Sequence, residues 1–246
     1  MSKRITMPFD QYVYPRYDTP LLEAYDSRFE SVYVLLHPFI RMPQELSWQA
    51  TRHYPADDQI LARGVRCPWS EVAAQTSMGA CARLNQALLT SIGAIADYLC
   101  DYPARDRLLS FLESSSVWMP VEGRFEPLLH ADILHAFKGA GHNHLIYVPE
   151  FPQKDPIQPL PIAGLSDGTV PFPSCGSLVA PDESFLFTVD WDSFFTLFYG
   201  RRPFIERIVQ ESNIEGFFAA PTTEHAWYNY SFGCATVTLS PEHWPS

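Results

Sequence analysis

Two pairs of residues have the types and the spacing that chemistry would use. His142 and His144 lie two apart. On a strand such residues point the same way, so a His-x-His pair can offer two imidazoles to one metal ion. Asp190 and Asp192 repeat that spacing with carboxylates, which bind Mg²⁺ or divide acid and base roles, and His225 follows as a third candidate. Together these residues define an enzyme alternative: a small-molecule hydrolase or metal-dependent enzyme.

Each has a plainer account. His130 and His135 are five apart, so they do not share a helix face, and the H-E-x-x-H and cupin spacings around the histidines are not met. A turn with two polar histidines accounts for His142 and His144. Asp192 reads as a cap for Ser193-Phe194-Phe195, with Asp190 facing solvent. Gly164-Leu165-Ser166-Asp167-Gly168 matches the G-x-S-x-G elbow, and Asp190 and His225 keep the triad order. The elbow needs a strand before the serine and a helix after it. Pro159 and Pro161 precede and Pro171 and Pro173 follow, so a Gly-Ser-Asp-Gly turn is expected instead. Gly139-Ala140-Gly141-His142 lacks the third glycine and the preceding strand of a dinucleotide fingerprint. Nothing near Cys175 would lower its pKa or relay its proton. The sequence therefore assigns no catalytic residue, no metal and no cofactor.

The elements that would position these residues fall in three stretches, read as one unit over residues 1–246: a helix-rich part (1–148), a proline-rich passage (149–183) and an aromatic β-α-β module (184–246). Thr19 and Pro20 have the types of an N-cap and first helical position, and Val32–Leu36 reads as a buried strand stopped by Pro38. Met78, Cys81, Leu84, Leu88, Ile92, Ile95 and Leu99 step by three or four and draw one helical stripe. Helices are expected again at 104–113 and from Pro127 to Lys138, with Gly139 as the stop. The eight prolines between 149 and 181 argue against helix and central strand, and apolar Leu160, Ile162, Val170 and Phe172 argue for a long loop laid on the surface. Beyond it Phe185, Phe187, Val189 and Trp191 alternate as a strand. Pro203 opens a helix that Asn213 ends, Gly216-Phe217-Phe218 lies in a returning strand, and Thr222 caps a short helix carrying His225, Trp227 and Tyr228. The class expected is α+β: a helical middle packed on a mixed or antiparallel sheet.

Composition narrows the function. A hydrophobic share of 46% suffices for a full core, and a formal net charge of −11 excludes the basic stripe that general nucleic-acid binding needs. No run approaches the ~18 apolar residues of a membrane span. Five widely spaced cysteines without C-x-x-C read as free thiols, and with no signal-peptide h-region the expected location is cytoplasmic.

The carboxyl-terminal block Val189-Asp190-Trp191-Asp192, Glu215-Gly216-Phe217-Phe218 and Glu224-His225-Ala226-Trp227-Tyr228-Asn229 resembles the signature of an uncharacterised bacterial family with immunity-like members that neutralise toxins. The resemblance spans about 45 residues and implies no catalytic residues. It implies a soluble, acidic, inhibitory protein that binds a protein partner through aromatic anchors and carboxylates, for which Trp191, Glu215, Glu224, Trp227 and Tyr228 are the candidates.

Overall fold

The computed structural model describes residues 8–151 and 155–227. Val32, Val34 and Leu36 alternate with Tyr33 and Leu35 along one strand, and every residue of that strand is buried. Both of its faces must therefore be covered, which places it inside a sheet with helices on either side.

The strands in chain order are β1 (Ser31–Leu36), β2 (Phe39–Arg41), β3 (Val65–Cys67), β4 (Val117–Trp118), β5 (His144–Val148), β6 (Gln158–Pro161), β7 (Gly176–Val179), β8 (Leu186–Val189), β9 (Phe195–Gly200) and β10 (Gly216–Phe218). Seven form one antiparallel sheet in the order β10-β1-β9-β8-β7-β5-β6, and β3-β2-β4 form a small second sheet. The α+β class is as the sequence indicates.

On one face of the large sheet Val32, Val34, Leu197 and Leu186 pack with Trp69 and Val72 of helix Trp69–Gln75, Leu84 and Leu88 of helix Cys81–Ile92, and Leu108 of helix Tyr102–Ser114. On the other, Tyr33, Leu35, Phe187 and Phe198 pack with Ile133 and Phe137 of helix His130–Gly139 and Ile205 and Ile208 of helix Arg202–Ser212. Phe187 and Phe198 stack across the β8–β9 pair with centroids 4.1 Å apart, the cross-strand aromatic contact that fixes register.

Several local expectations change. The long apolar stripe does not make one helix through Leu99: Gly93, at φ +72°, ends it after Ile92, because a left-handed C-cap leaves the helical path. Thr19 and Pro20 start no long helix; Pro20 caps a single 3₁₀ turn, Leu21–Glu23. The proline-rich passage holds more than loop. Pro159 and Pro161 lie in β6, an edge strand where missing amide donors cost little. The proline-free windows between them supply helix Ile162–Asp167 and the interior strand β7. Gly164-Leu165-Ser166 is therefore helical and not a turn, and Ser166 accepts a hydrogen bond from Lys138 Nζ at 2.8 Å. Cys81 is disulfide-bonded, correcting the expectation of free thiols throughout, since sequence spacing does not report proximity in space; Cys67, Cys100 and Cys175 are free. Cys234 lies outside the described residues.

Candidate functional site

The site is built where β8 leaves the sheet. After Val189 the chain turns through residues 190–194 and re-enters as β9, so Ser193 starts no helix and Asp192 caps none. Asp190 organises the turn. Its carbonyl accepts from Ser193 N at 3.1 Å and Ser193 Oγ at 2.9 Å. Its carboxylate is 3.4 Å from Asp192 N. Asp190 is 6% exposed, correcting the expectation that it faces solvent, and Trp191 beside it is 61% exposed.

The turn is clamped from a loop of the helix-rich part. Gly123 N donates to Ser193 O at 3.0 Å, and Gly123 has φ +71°. A Cβ on it would stand 2.0 Å from Trp191 O, so only glycine allows this approach. The same loop brings Glu122 toward Asp192, and the segment after β5 brings Glu150. Glu150, Asp190 and Asp192 are each held above the usual carboxylate range. Burial is the largest cause in all three, with the charges of Asp190 and Asp192 adding at Glu150 and those of Asp190 and Glu122 adding at Asp192. Among the described residues no lysine or arginine pairs with Glu122, Glu150 or Asp192. The result is an acidic rim without counter-cations among the described residues, beside exposed Trp191 and Tyr17.

Both ends of the described chain close over Asp190. From the amino-terminal segment, Tyr17 donates its hydroxyl to Asp190 Oδ2 at 2.7 Å. From the carboxyl-terminal segment, Leu21 N donates to Thr223 O at 2.8 Å, holding the turn that carries His225. The imidazole stacks on Tyr17, with centroids 4.2 Å apart and planes at 12°, and meets Tyr14 edge-on at 5.5 Å. Its Nδ1 pairs with the Tyr14 hydroxyl at 2.8 Å, and its Nε2 lies 3.9 Å from Asp190 Oδ2. Burial pushes the His225 pKa down to about 4, so the ring is neutral at pH 7.

The structure thus brings Asp190, Asp192 and His225 into one neighbourhood. It does not join His142 and His144. His142 N closes the end of its helix on Phe137 O at 3.0 Å, and His142 Nε2 is 3.3 Å from Asp182 Oδ1. His144, on β5, pairs through Nδ1 with Asn143 Oδ1. Among the described residues no three His, Cys, Asp or Glu side chains are grouped to hold a metal ion.

The other surface candidates divide. Glu215 accepts from the Trp69 and Ser70 amides, capping the first turn of helix Trp69–Gln75, where the orphan N–H groups and the dipole favour a carboxylate. Trp227 is 1% exposed and packs edge-on against Phe195 and Phe217, so it acts as a wall behind His225 and not as an open anchor. Thr222 lies in a turn and starts no helix; 3₁₀ conformation begins only at Trp227. Glu224 is half-buried near the surface, and Tyr228 lies outside the described residues. Sequence reasoning missed Tyr14, Tyr17 and Glu122. No local pattern marks them, since each acts through residues more than 20 positions away.

A chain with this sheet and this turn belongs to the DUF2711 family, proteins of unknown function, which matches residues 17–229. That span encloses Tyr17, Glu122, Glu150, Asp190 and His225. The uncharacterised protein YwbB of Bacillus subtilis (strain 168) is 24% identical over 229 residues, covering 88% of this chain and 98% of the relative. No solved structure matches. No helix among the described residues is long and apolar enough to cross a membrane.

Proposed function

We propose that this protein works by recognition, binding a basic protein partner through the acidic, aromatic face centred on Trp191. One observation carries the reading: Trp191 stands 61% exposed on a turn fixed by Gly123, amid carboxylates that lack cationic partners among the described residues. A large rigid aromatic costs little entropy to immobilise, and rim carboxylates steer a cationic surface toward it. A partner's lysines would also relieve the mutual repulsion that adds to burial in raising Glu150 and Asp192. Binding therefore releases protons and tightens as pH rises through the carboxylate range. Residues 1–246 act here as one unit. The carboxyl-terminal resemblance suggests the partner class: a toxin that the protein occludes as an immunity protein does.

The test is zero-length carbodiimide crosslinking, which joins a carboxylate to a lysine amine in contact with it. Applied to the tagged protein in its native cells, it should give partner crosslinks at Glu122, Glu150 or Asp192. Partner crosslinks confined to other carboxylates would remove this face from the reading.

A second reading, a small-molecule hydrolase, is favoured by the convergence of Asp190 and His225 across 35 positions. It requires an activity that Asp190→Asn abolishes while partner binding is retained.

A further inference from the structure

At the other end of β8, away from the Trp191 turn, the β7–β8 hairpin and the start of helix Arg202–Ser212 enclose a cavity of about 660 Å³. That volume falls in the range of small-molecule sites, roughly 300–1,000 Å³. Its lining carries three arginines, Arg28, Arg201 and Arg207, together with the carboxylates of Glu30 at the rim, Asp182 and Glu183.

The three are not equivalent. Arg28 pairs with Glu183 at 2.7 Å, and Tyr12 donates to the same Glu183 oxygen at 2.7 Å, so that corner is buried and neutralised. Asp182 is likewise engaged, accepting from Ser184 N at 3.1 Å and Ser184 Oγ at 2.6 Å with His142 nearby. Arg201 and Arg207 have no carboxylate partner among the described residues. Arg207 lies 5.4 Å from the Phe204 ring centroid, which orients its guanidinium along the aromatic wall formed with Phe185. The helix that begins at this rim has Arg201 at its N-cap position and no side-chain cap. Glu183, at φ +57°, holds the opposite lip in a strained left-handed conformation.

Two guanidiniums without carboxylate partners among the described residues, one of them set against an aromatic wall, recognise an anion carried on a flat apolar body. We infer that this cavity binds a small organic anion, a carboxylate or phosphate monoester with an aromatic or other planar group, through Arg201, Arg207 and Phe204. The site is separate from the Trp191 face and stands whether or not that face binds a protein.

Phenyl phosphate is a suitable probe, with inorganic phosphate as its comparison. Titrated into the ¹⁵N-labelled full chain, phenyl phosphate should shift the amides of Ser184, Gly200 and Phe204 and saturate. Arg201→Gln and Arg207→Gln should each weaken it by about tenfold or more, the loss of one charge-assisted hydrogen bond. Arg202→Gln should change binding by less than about twofold, because Arg202 pairs with Glu206 at 2.8 Å and is absent from the lining. Inorganic phosphate should bind more weakly than phenyl phosphate. No shift at these amides at millimolar probe, or binding indifferent to both arginines, would overturn the site. Equal affinity for the two probes would overturn the aromatic half of it. Should Arg207→Gln fail to fold, exposed Arg201→Gln decides alone.

Discussion

His225 Nε2 stands 3.9 Å from Asp190 Oδ2, the same oxygen to which Tyr17 donates at 2.7 Å. Three distant parts of the chain therefore meet on one carboxylate at 6% exposure. The Tyr17 hydroxyl is the donor that makes such burial tolerable, since an unsatisfied buried carboxylate costs far more than a satisfied one.

Tyr17→Phe should accordingly destabilise the protein by about 1–3 kcal/mol, the cost of removing one partner of a buried charged hydrogen bond. Asp190→Asn keeps an acceptor for Tyr17 and removes a charge that burial already disfavours, so its loss should be smaller. Urea unfolding at pH 7 gives both values. An equal or larger loss in Asp190→Asn would count against Tyr17 as the stabilising donor.

The neutral state of His225 makes the closure acid-sensitive. Its folded pKa is lowered from 6.5 to about 4 by burial, so between those values the unfolded chain binds the extra proton. Stability is fully present above pH 6.5 and is lost as pH falls toward 4, by up to about 3 kcal/mol from this group. His37 (to about 3) and His130 (to about 4) act in the same direction. His225→Gln should remove about one proton's worth of the slope in urea-unfolding stability between pH 4.5 and 6.5. An unchanged slope would mean that the imidazole titrates normally in the fold.

Glu126 works in the opposite sense. It is fully buried, its Oε2 has no hydrogen-bond partner, and burial raises its pKa from 4.5 to about 7 against the charges of Arg124 and Arg66, with Asp57 adding to the rise. The folded state holds the proton between those values, so this group's contribution to stability falls as pH rises from 4.5 to 7 and then levels. Glu126→Gln should therefore stabilise the protein at pH 8 by up to about 3 kcal/mol and by little at pH 4.5. A destabilised Glu126→Gln at pH 8 would show that the carboxylate is ionised and paired.

Gly123→Ala tests the clamp on the turn. The added Cβ would meet Trp191 O at 2.0 Å at a φ of +71°, so backbone has to move on one side or the other. The expected cost is about 2 kcal/mol or more, read as a fall in the urea midpoint together with displaced Trp191 resonances. A variant as stable as the parent would leave the Trp191 turn without its proposed support.

Periodic signals carried far. The continuous apolar run Val32–Leu36 became the buried strand β1, and Pro203 and Asn213 bracket helix Arg202–Ser212 with Asn213 in the left-handed cap. These features are local and appear in any window of the chain. Gly93 was harder, because the apolar stripe continues past the point where the backbone departs from the helix. The proline passage misled because proline excludes only the positions it occupies, and the gaps between prolines could still hold a helix and an interior strand. The aspartates and His225 were legible as chemical types. Their meeting with Tyr14 and Tyr17 was not, since it depends on β1 and β9 pairing and on the two terminal segments of the described chain packing on the same face of the sheet. Trp227, counted as a binding anchor from its type, instead fills the space beside Phe195, and burial of an aromatic follows from packing that no short motif encodes.

The most direct test is the affinity of the crosslinked partner for the wild-type protein and for Trp191→Ala, measured by titration calorimetry with matched unfolding midpoints. Loss of a central exposed aromatic anchor should weaken binding by about 30-fold or more, the effect of a hot spot worth ~2 kcal/mol, and Asp192→Asn should further reduce the salt dependence. A Trp191→Ala protein that folds normally and binds its partner as tightly as the wild type would contradict recognition through this face.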